Sequence, residues 1–164
     1  MTVVLVGFMG AGKTTVGRIL AERLALPFVD SDVLIEQEQG RAIKDVFEAE
    51  GEEFFRELEH RTVAALVRGQ DAVVALGGGA LGHPRTREVL RGACVVYLRV
   101  SYDQALERVR SDELRPMLRR PDLAAVYQER ESVYEAVSTV VVETDGRGPE
   151  EVARAVLDRL TDLR

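Results

Sequence analysis

Residues 7–14 read Gly-Phe-Met-Gly-Ala-Gly-Lys-Thr, with the apolar run Val3–Val6 before them and the stretch Thr14–Leu24 after. This matches G-x-x-x-x-G-K-[ST], a loop that works only between a strand and a helix. The glycines let the backbone curl into a nest of N–H donors around a phosphate. The helix that follows turns its N-terminus to the same anion. Lys13 puts a positive charge near the outer phosphates, and the Thr14 hydroxyl can reach a magnesium ion. The flanks agree. Thr14–Leu24 places Val16, Ile19, Leu20 and Leu24 on one side, with Arg18, Glu22 and Arg23 on the other. The loop points to a nucleotide-phosphate site, but it is shared by kinases, GTPases, ATPases and switch proteins.

Four further apolar runs fit a sheet: Phe28–Asp30, Val73–Leu76, Cys94–Val100 and Thr139–Val142. They are Val-rich and continuous rather than alternating, as in strands covered on both faces of a parallel sheet. Helical stretches such as Glu52–Val67 and Pro149–Leu160 lie between or after them. The expected class is α/β with right-handed crossovers. At 164 residues the chain is the size of one domain. Residues 31–60 and 109–121 are longer than minimal connections, as lids and binding segments are.

Composition narrows the partners. The net charge is −6, and the basic footprint of a nucleic-acid binder is missing. No apolar run approaches the roughly 20 residues of a membrane span. The first residues read as a buried strand rather than a signal peptide. Cys94, the lone cysteine, sits in an apolar run and reads as a buried structural thiol. The expected compartment is the cytoplasm.

Three clusters bear on a phosphate acceptor. Asp30-Ser31-Asp32 ends the second apolar run, where ligands of open α/β sheets bind. One acid could hold magnesium through water and the other deprotonate a hydroxyl, although such a triplet also suits a turn and helix cap. Arg56 and Glu59 share a helical face, either as a surface ion pair or as an arginine aimed at a substrate anion. Gly77-Gly78-Gly79 follows Val73–Leu76, where many phosphate-loop proteins carry an aspartate. Glycines there permit φ > 0 and close backbone approach to a ligand, or form a flexible loop.

The phosphate loop, D-S-D, G-E-x-x-F-R-x-x-E (from Gly51), G-G-G-A (from Gly77), L-R-P-M-L (from Leu114) and R-x-x-x-Y (from Arg130) occur in order over nearly the whole chain. Together they resemble the shikimate kinases, in the nucleoside-monophosphate-kinase-like group of P-loop proteins. The resemblance implies a P-loop three-layer sandwich with a five-stranded parallel sheet in the order 2-3-1-4-5. It implies one kinase domain over 1–164, with a substrate-binding segment at about 31–60 and a lid at about 109–121. The implied reaction moves the γ-phosphoryl of ATP, with Mg²⁺, to the 3-hydroxyl of shikimate, a step toward aromatic amino acids. By resemblance, Gly10, Ala11, Gly12, Lys13, Thr14 and Thr15 hold the phosphates, and Thr14 and Asp30 support the metal, the latter through water. Asp32 binds shikimate hydroxyls and is the candidate base. Arg56, Gly77, Gly78, Gly79 and Arg130 complete the acceptor site, with Glu59 orienting Arg56. Arg108 and Pro149 fall on the adenine side, and Arg115 meets the transferring phosphate, with Arg119 and Arg120 close by. A monomer is expected. Two rivals remain: a kinase for another acceptor, such as gluconate or a nucleotide, and a non-catalytic nucleotide-binding regulator.

Overall fold

The computed structural model of the chain describes residues 1–109 and 122–163. The lid segment therefore lies outside the described residues apart from its first position, and Arg115, Arg119 and Arg120 lie outside them altogether. Five strands form one parallel sheet: β1 (Val3–Val6), β2 (Phe28–Asp30), β3 (Val73–Ala75), β4 (Cys94–Arg99) and β5 (Val140–Glu143). Their order is β2-β3-β1-β4-β5, as the resemblance implies. Central β1 and β3 are buried along their whole length. Edge strand β2 is only half-buried, and β5 alternates buried with more exposed positions, because an edge has one uncovered side.

Register brings the three loops of interest together. Leu5 pairs with Ala75, and Ala75 with Asp30, so β1, β3 and β2 end at one level. All five strands run parallel. The phosphate loop, the Asp30–Asp32 corner and the glycine triplet therefore leave the sheet side by side at its C-terminal edge.

Helices lie on both faces. Helix α1 (Lys13–Leu24) buries Val16 and Leu20, the face read from the sequence, and packs on α8 (Pro149–Asp162). Pro149 stands in the first turn of α8 with Glu150 and Glu151, where a missing N–H and negative charge are both favourable. The charged segment 31–60 holds two complete helices, α2 (Ser31–Gln39) and α3 (Ile43–Glu50), and the start of a third, α4 (Glu52–Arg68). Gly40 ends α2 in the left-handed region, and Gly51 separates α3 from α4. These helices share a small core of Ile35, Val46 and Phe55, flanked by Ile43, Phe47 and Leu58, separate from the main core around the sheet. Helix α5 (Pro84–Val89) packs on α4. Helices α6 (Tyr102–Val109) and α7 (Leu123–Val137) flank the undescribed segment. Cys94 is buried, as expected. Among the described residues no helix is long and apolar enough to cross a membrane.

The chain's two histidines close the α4–α5 contact. The His60 and His83 rings stack at 4.5 Å, and His60 Nδ1 lies 2.9 Å from the hydroxyl of buried Thr86. His83 caps α5 by accepting from Arg85 N, and its Nε2 lies 3.1 Å from Glu57. Burial and the neighbouring charges of His83, Arg85 and Arg68 hold the His60 imidazole below its ordinary pKa, against the pull of Glu57. The fold thus prefers neutral His60. Its contribution is whole above the unfolded value of about 6.5 and is lost as pH falls below it, because the unfolded chain then binds a proton the fold refuses. Acidification from pH 7.5 to 5.5 should lower the Tm of the parent more than that of His60→Gln. Parallel melting curves for the two across that range would contradict this.

Candidate active site

The phosphate loop adopts the conformation that its glycines permit. Gly10 and Gly12 have φ of 81° and 88°, in the left-handed region that favours glycine. No side chain caps the N-terminus of α1, the arrangement expected where an anion does the capping. Lys13 Nζ donates to Gly7 O at 2.6 Å, so its charge lies inside the loop. Ala11 turns inward, buried, with its N–H on Phe8 O at 3.1 Å. Gly10, Gly12, Lys13, Thr14 and Thr15 line a cleft of about 610 Å³.

Asp30 and Asp32 both line the cleft, and Asp30 takes the capping role as well. Asp30 caps α2, accepting from the N–H groups of Asp32 (2.9 Å) and Val33 (3.2 Å). Its other oxygen takes the Thr14 hydroxyl at 3.3 Å. Asp32 faces the cleft, where burial and the charge of Asp30 push its carboxyl above the ordinary range, partly offset by Lys13 and Arg56. The side chains of Thr14 and Asp30 thus set two hard oxygens beside the phosphate loop. Among the described residues no cluster of three or more metal-ligating side chains exists. Mg²⁺ is a hard cation of the kind two such oxygens can hold, its remaining ligands being water and substrate phosphate.

The Arg56–Glu59 pair is not a loose surface contact. Arg56 Nη1 donates to Glu59 Oε1 at 2.7 Å, and the Glu59 side chain is only 2% exposed. Burial raises the Glu59 carboxyl's pKa, and Arg56 opposes that shift. The guanidinium carbon also lies over the rings of Phe55 (5.3 Å) and Phe47 (5.9 Å), within cation–π reach.

The glycine triplet serves a purpose other than φ > 0, since none of the three occupies the left-handed region. What matters is the missing Cβ. A Cβ on Gly77 would meet Asp32 Oδ1 at 2.5 Å. One on Gly78 would meet Arg130 Nη1 at 3.0 Å, and one on Gly79 would meet Arg56 Nη2 at 2.6 Å. Three consecutive residues thus each leave room for one of three charged side chains, drawn from α2, α7 and α4. A second cavity of about 270 Å³ adjoins the first through Gly78, Gly79 and Arg130 and is lined by Arg56.

Arg108 and Pro149 are placed differently. Arg108 lines the cleft, but its guanidinium is engaged with Gly10 O (3.0 Å), Thr144 Oγ1 (3.0 Å) and Thr144 O (2.7 Å), so it ties the phosphate loop to the end of β5. Pro149, at the head of α8, does not line the cleft. Two supports escaped the sequence reading. Ser31, fully buried, accepts from Gly77 N at 3.2 Å. Tyr134 donates to Gly78 O at 2.9 Å. Only the R-x-x-x-Y spacing hinted at the latter.

Comparison with known proteins agrees with this arrangement. A family model described as shikimate kinase matches residues 9–161. A shikimate kinase of Streptomyces avermitilis is 47% identical over 161 residues, covering 96% of this chain and 94% of that protein. The solved structure of shikimate kinase from Acinetobacter baumannii in complex with shikimate superposes with a TM-score of 0.92 at 36% identity, covering 99% of this chain and 94% of that one. A gluconokinase from Sinorhizobium meliloti, at 19% identity and a TM-score of 0.66 over 99% of this chain and 92% of that one, shares the fold alone. With a phosphate loop, a half-buried acid and two arginines gathered on one glycine strip, and relatives matched almost end to end, the chain belongs to the shikimate kinase family.

Proposed function

We propose that the chain transfers the γ-phosphoryl group of ATP to the 3-hydroxyl of shikimate, giving 3-phosphoshikimate and ADP. The observation that carries this reading is the convergence of Asp32, Arg130 and Arg56 on Gly77, Gly78 and Gly79 beside the phosphate loop. Shikimate is a ring with one carboxylate and neighbouring hydroxyls. The two arginines answer the carboxylate with planar forks. Asp32 answers the hydroxyls.

In this mechanism the protein positions and neutralises, with no covalent step of its own. The glycine-rich turn and the start of α1 hold the phosphates. Lys13 neutralises charge on the outer ones. Thr14 and Asp30 would hold Mg²⁺, Asp30 through water, and the ion when bound offsets phosphate charge. Asp32 orients the 3-hydroxyl and takes its proton as the oxygen attacks. A carboxylate whose proton affinity is raised by burial is the better base for that task. Glu59 holds Arg56 in place. Arg108 and Pro149 are assigned to the adenine side and Arg115 to the transferring phosphate, all three by family resemblance. The same reading makes the enzyme a cytoplasmic monomer of one domain.

The test is a coupled ADP-release assay with shikimate, gluconate and AMP as acceptors. Shikimate should be used with a kcat/KM at least about 10³-fold above the others, the discrimination available when a site built for specific polar groups is left unpaired. Preference for gluconate or AMP would overturn the acceptor. Nucleotide binding without turnover of any acceptor would favour the regulator.

A further inference from the structure

Resting on the acceptor assignment above, we infer that Tyr134 is a positioning residue for shikimate, acting through the peptide bond between Gly78 and Gly79. Its hydroxyl donates to Gly78 O at 2.9 Å. The side chain is buried, with its ring against Tyr97 of β4 at a centroid distance of 5.2 Å. The donor is therefore held rigidly against the glycine strip, in the wall of the second cavity.

A trans peptide is planar, and its C=O and N–H point in opposite directions. Holding Gly78 O toward Tyr134, on the wall of the second cavity, turns the N–H of Gly79 the other way, and Gly79 also lines the larger cleft. Among the described residues neither Gly78 N–H nor Gly79 N–H has a hydrogen-bond acceptor, whereas Gly77 N–H is taken by Ser31 and Ala80 N–H by Gly77 O. Both glycines line the acceptor cavities. A strip without side chains rotates its peptides easily, and a flipped 78–79 peptide would present a carbonyl where a donor is needed. Tyr134 removes that freedom. Arg130, one helical turn earlier on α7, fills the space over Gly78, so one helix fixes the middle glycine through both its carbonyl and its missing side chain. The Gly79 N–H is then aimed at an oxygen of shikimate, between the carboxylate-binding arginines and Asp32.

Tyr134→Phe keeps the ring and removes only the hydroxyl. It should raise the shikimate KM about 3- to 10-fold, the range of one neutral hydrogen bond, with kcat and the ATP KM within about twofold of the parent. In ¹⁵N-labelled protein, the Gly79 amide resonance should shift on adding shikimate to the parent and shift less in Tyr134→Phe. Val140→Ala, which trims the core in β5 away from the strip, should lower Tm without raising the shikimate KM. An unchanged shikimate KM in Tyr134→Phe, equal rises in both KM values, or the same rise in Val140→Ala would overturn the inference. If Tyr134→Phe does not fold, a Gly79 amide in the parent that ignores saturating shikimate overturns it. Failure of the parent to phosphorylate shikimate would instead overturn the acceptor assignment, and is seen before any variant is made.

Discussion

Asp32→Asn is expected to lower kcat by about 10²- to 10⁴-fold, the usual share of a positioned general base, and to melt at a higher temperature than the parent. The two effects share one cause. Asp32 lies in the cleft beside Gly77, with Asp30 two residues away. Burial and Asp30 penalise its charge more than Lys13 and Arg56 favour it, so the carboxyl's pKa is raised. A group whose folded pKa lies above its unfolded value of 3.8 adds most stability below that value, and the contribution is lost as pH rises through the folded pKa. Near neutral pH the ionised acid therefore weighs against the fold. Asparagine keeps the shape, removes the charge and cannot accept the proton. Thermal melts at pH 7.5 and 4.5 check the linkage: the advantage of the variant should shrink at the lower pH as the parent takes up its proton. A variant with near-parent kcat would remove Asp32 as the base. One that melts lower at pH 7.5 would show that the attraction of Lys13 and Arg56 dominates.

Gly79→Ala is expected to raise the shikimate KM tens- to thousands-fold and to lower Tm, because an Arg56 that swings away leaves buried Glu59 without its partner. The new Cβ would stand 2.6 Å from Arg56 Nη2 and 2.9 Å from Nη1. Gly79 has φ of −100°, which alanine adopts without strain. The clash is with the tip of a long side chain, so the backbone has no need to move. Arg56 must swing away, and in doing so it leaves its place between Glu59 and the cleft. A carboxylate that loses one arginine fork forfeits about 2–5 kcal/mol, which is the stated range in KM. The strip also predicts a pattern. Gly77→Ala displaces Asp32 and should act mainly on kcat. Gly78→Ala meets Arg130 at 3.0 Å and should be the mildest of the three. Steady-state kinetics of the three variants with shikimate and ATP, beside their melting curves, decide the matter. Equal effects on all parameters would reduce the strip to a flexible loop.

Features set by local chemistry were legible in the sequence. The phosphate loop, the strand before it and the apolar stripe of α1 follow from spacing alone. The sheet followed from Val-rich runs, although β3, β4 and β5 each begin or end a residue away from the run boundaries. Features set by distant packing were not legible. Tyr134 lies 56 residues from Gly78, and His60 lies 23 from His83, so neither partnership leaves a periodic trace. The triplet Gly77–Gly79 was visible as a motif, yet its use was not. Conformational freedom and absence of a side chain look identical in a sequence, and only the positions of Asp32, Arg130 and Arg56 separate them. The Asp30–Asp32 corner shows the converse. A capping role and a chemical role seemed to compete, and the fold gives Asp30 both, the cap and a place in the cleft beside Asp32.

The small core of Ile35, Val46 and Phe55 carries a consequence for how such a protein can diversify. Arg56 leans on Phe47 and Phe55, so its aim is set by the interior of α2, α3 and α4 rather than by the sheet. Lys13 and Thr14, by contrast, stand at the start of α1, whose Val16 and Leu20 belong to the main core. Mutations that repack the small core re-aim one grip on the acceptor while the phosphate-handling loop keeps its support. Lineages descended from a common ancestor can therefore change what they phosphorylate by drift in a few apolar residues, with the machinery for handling the donor inherited intact.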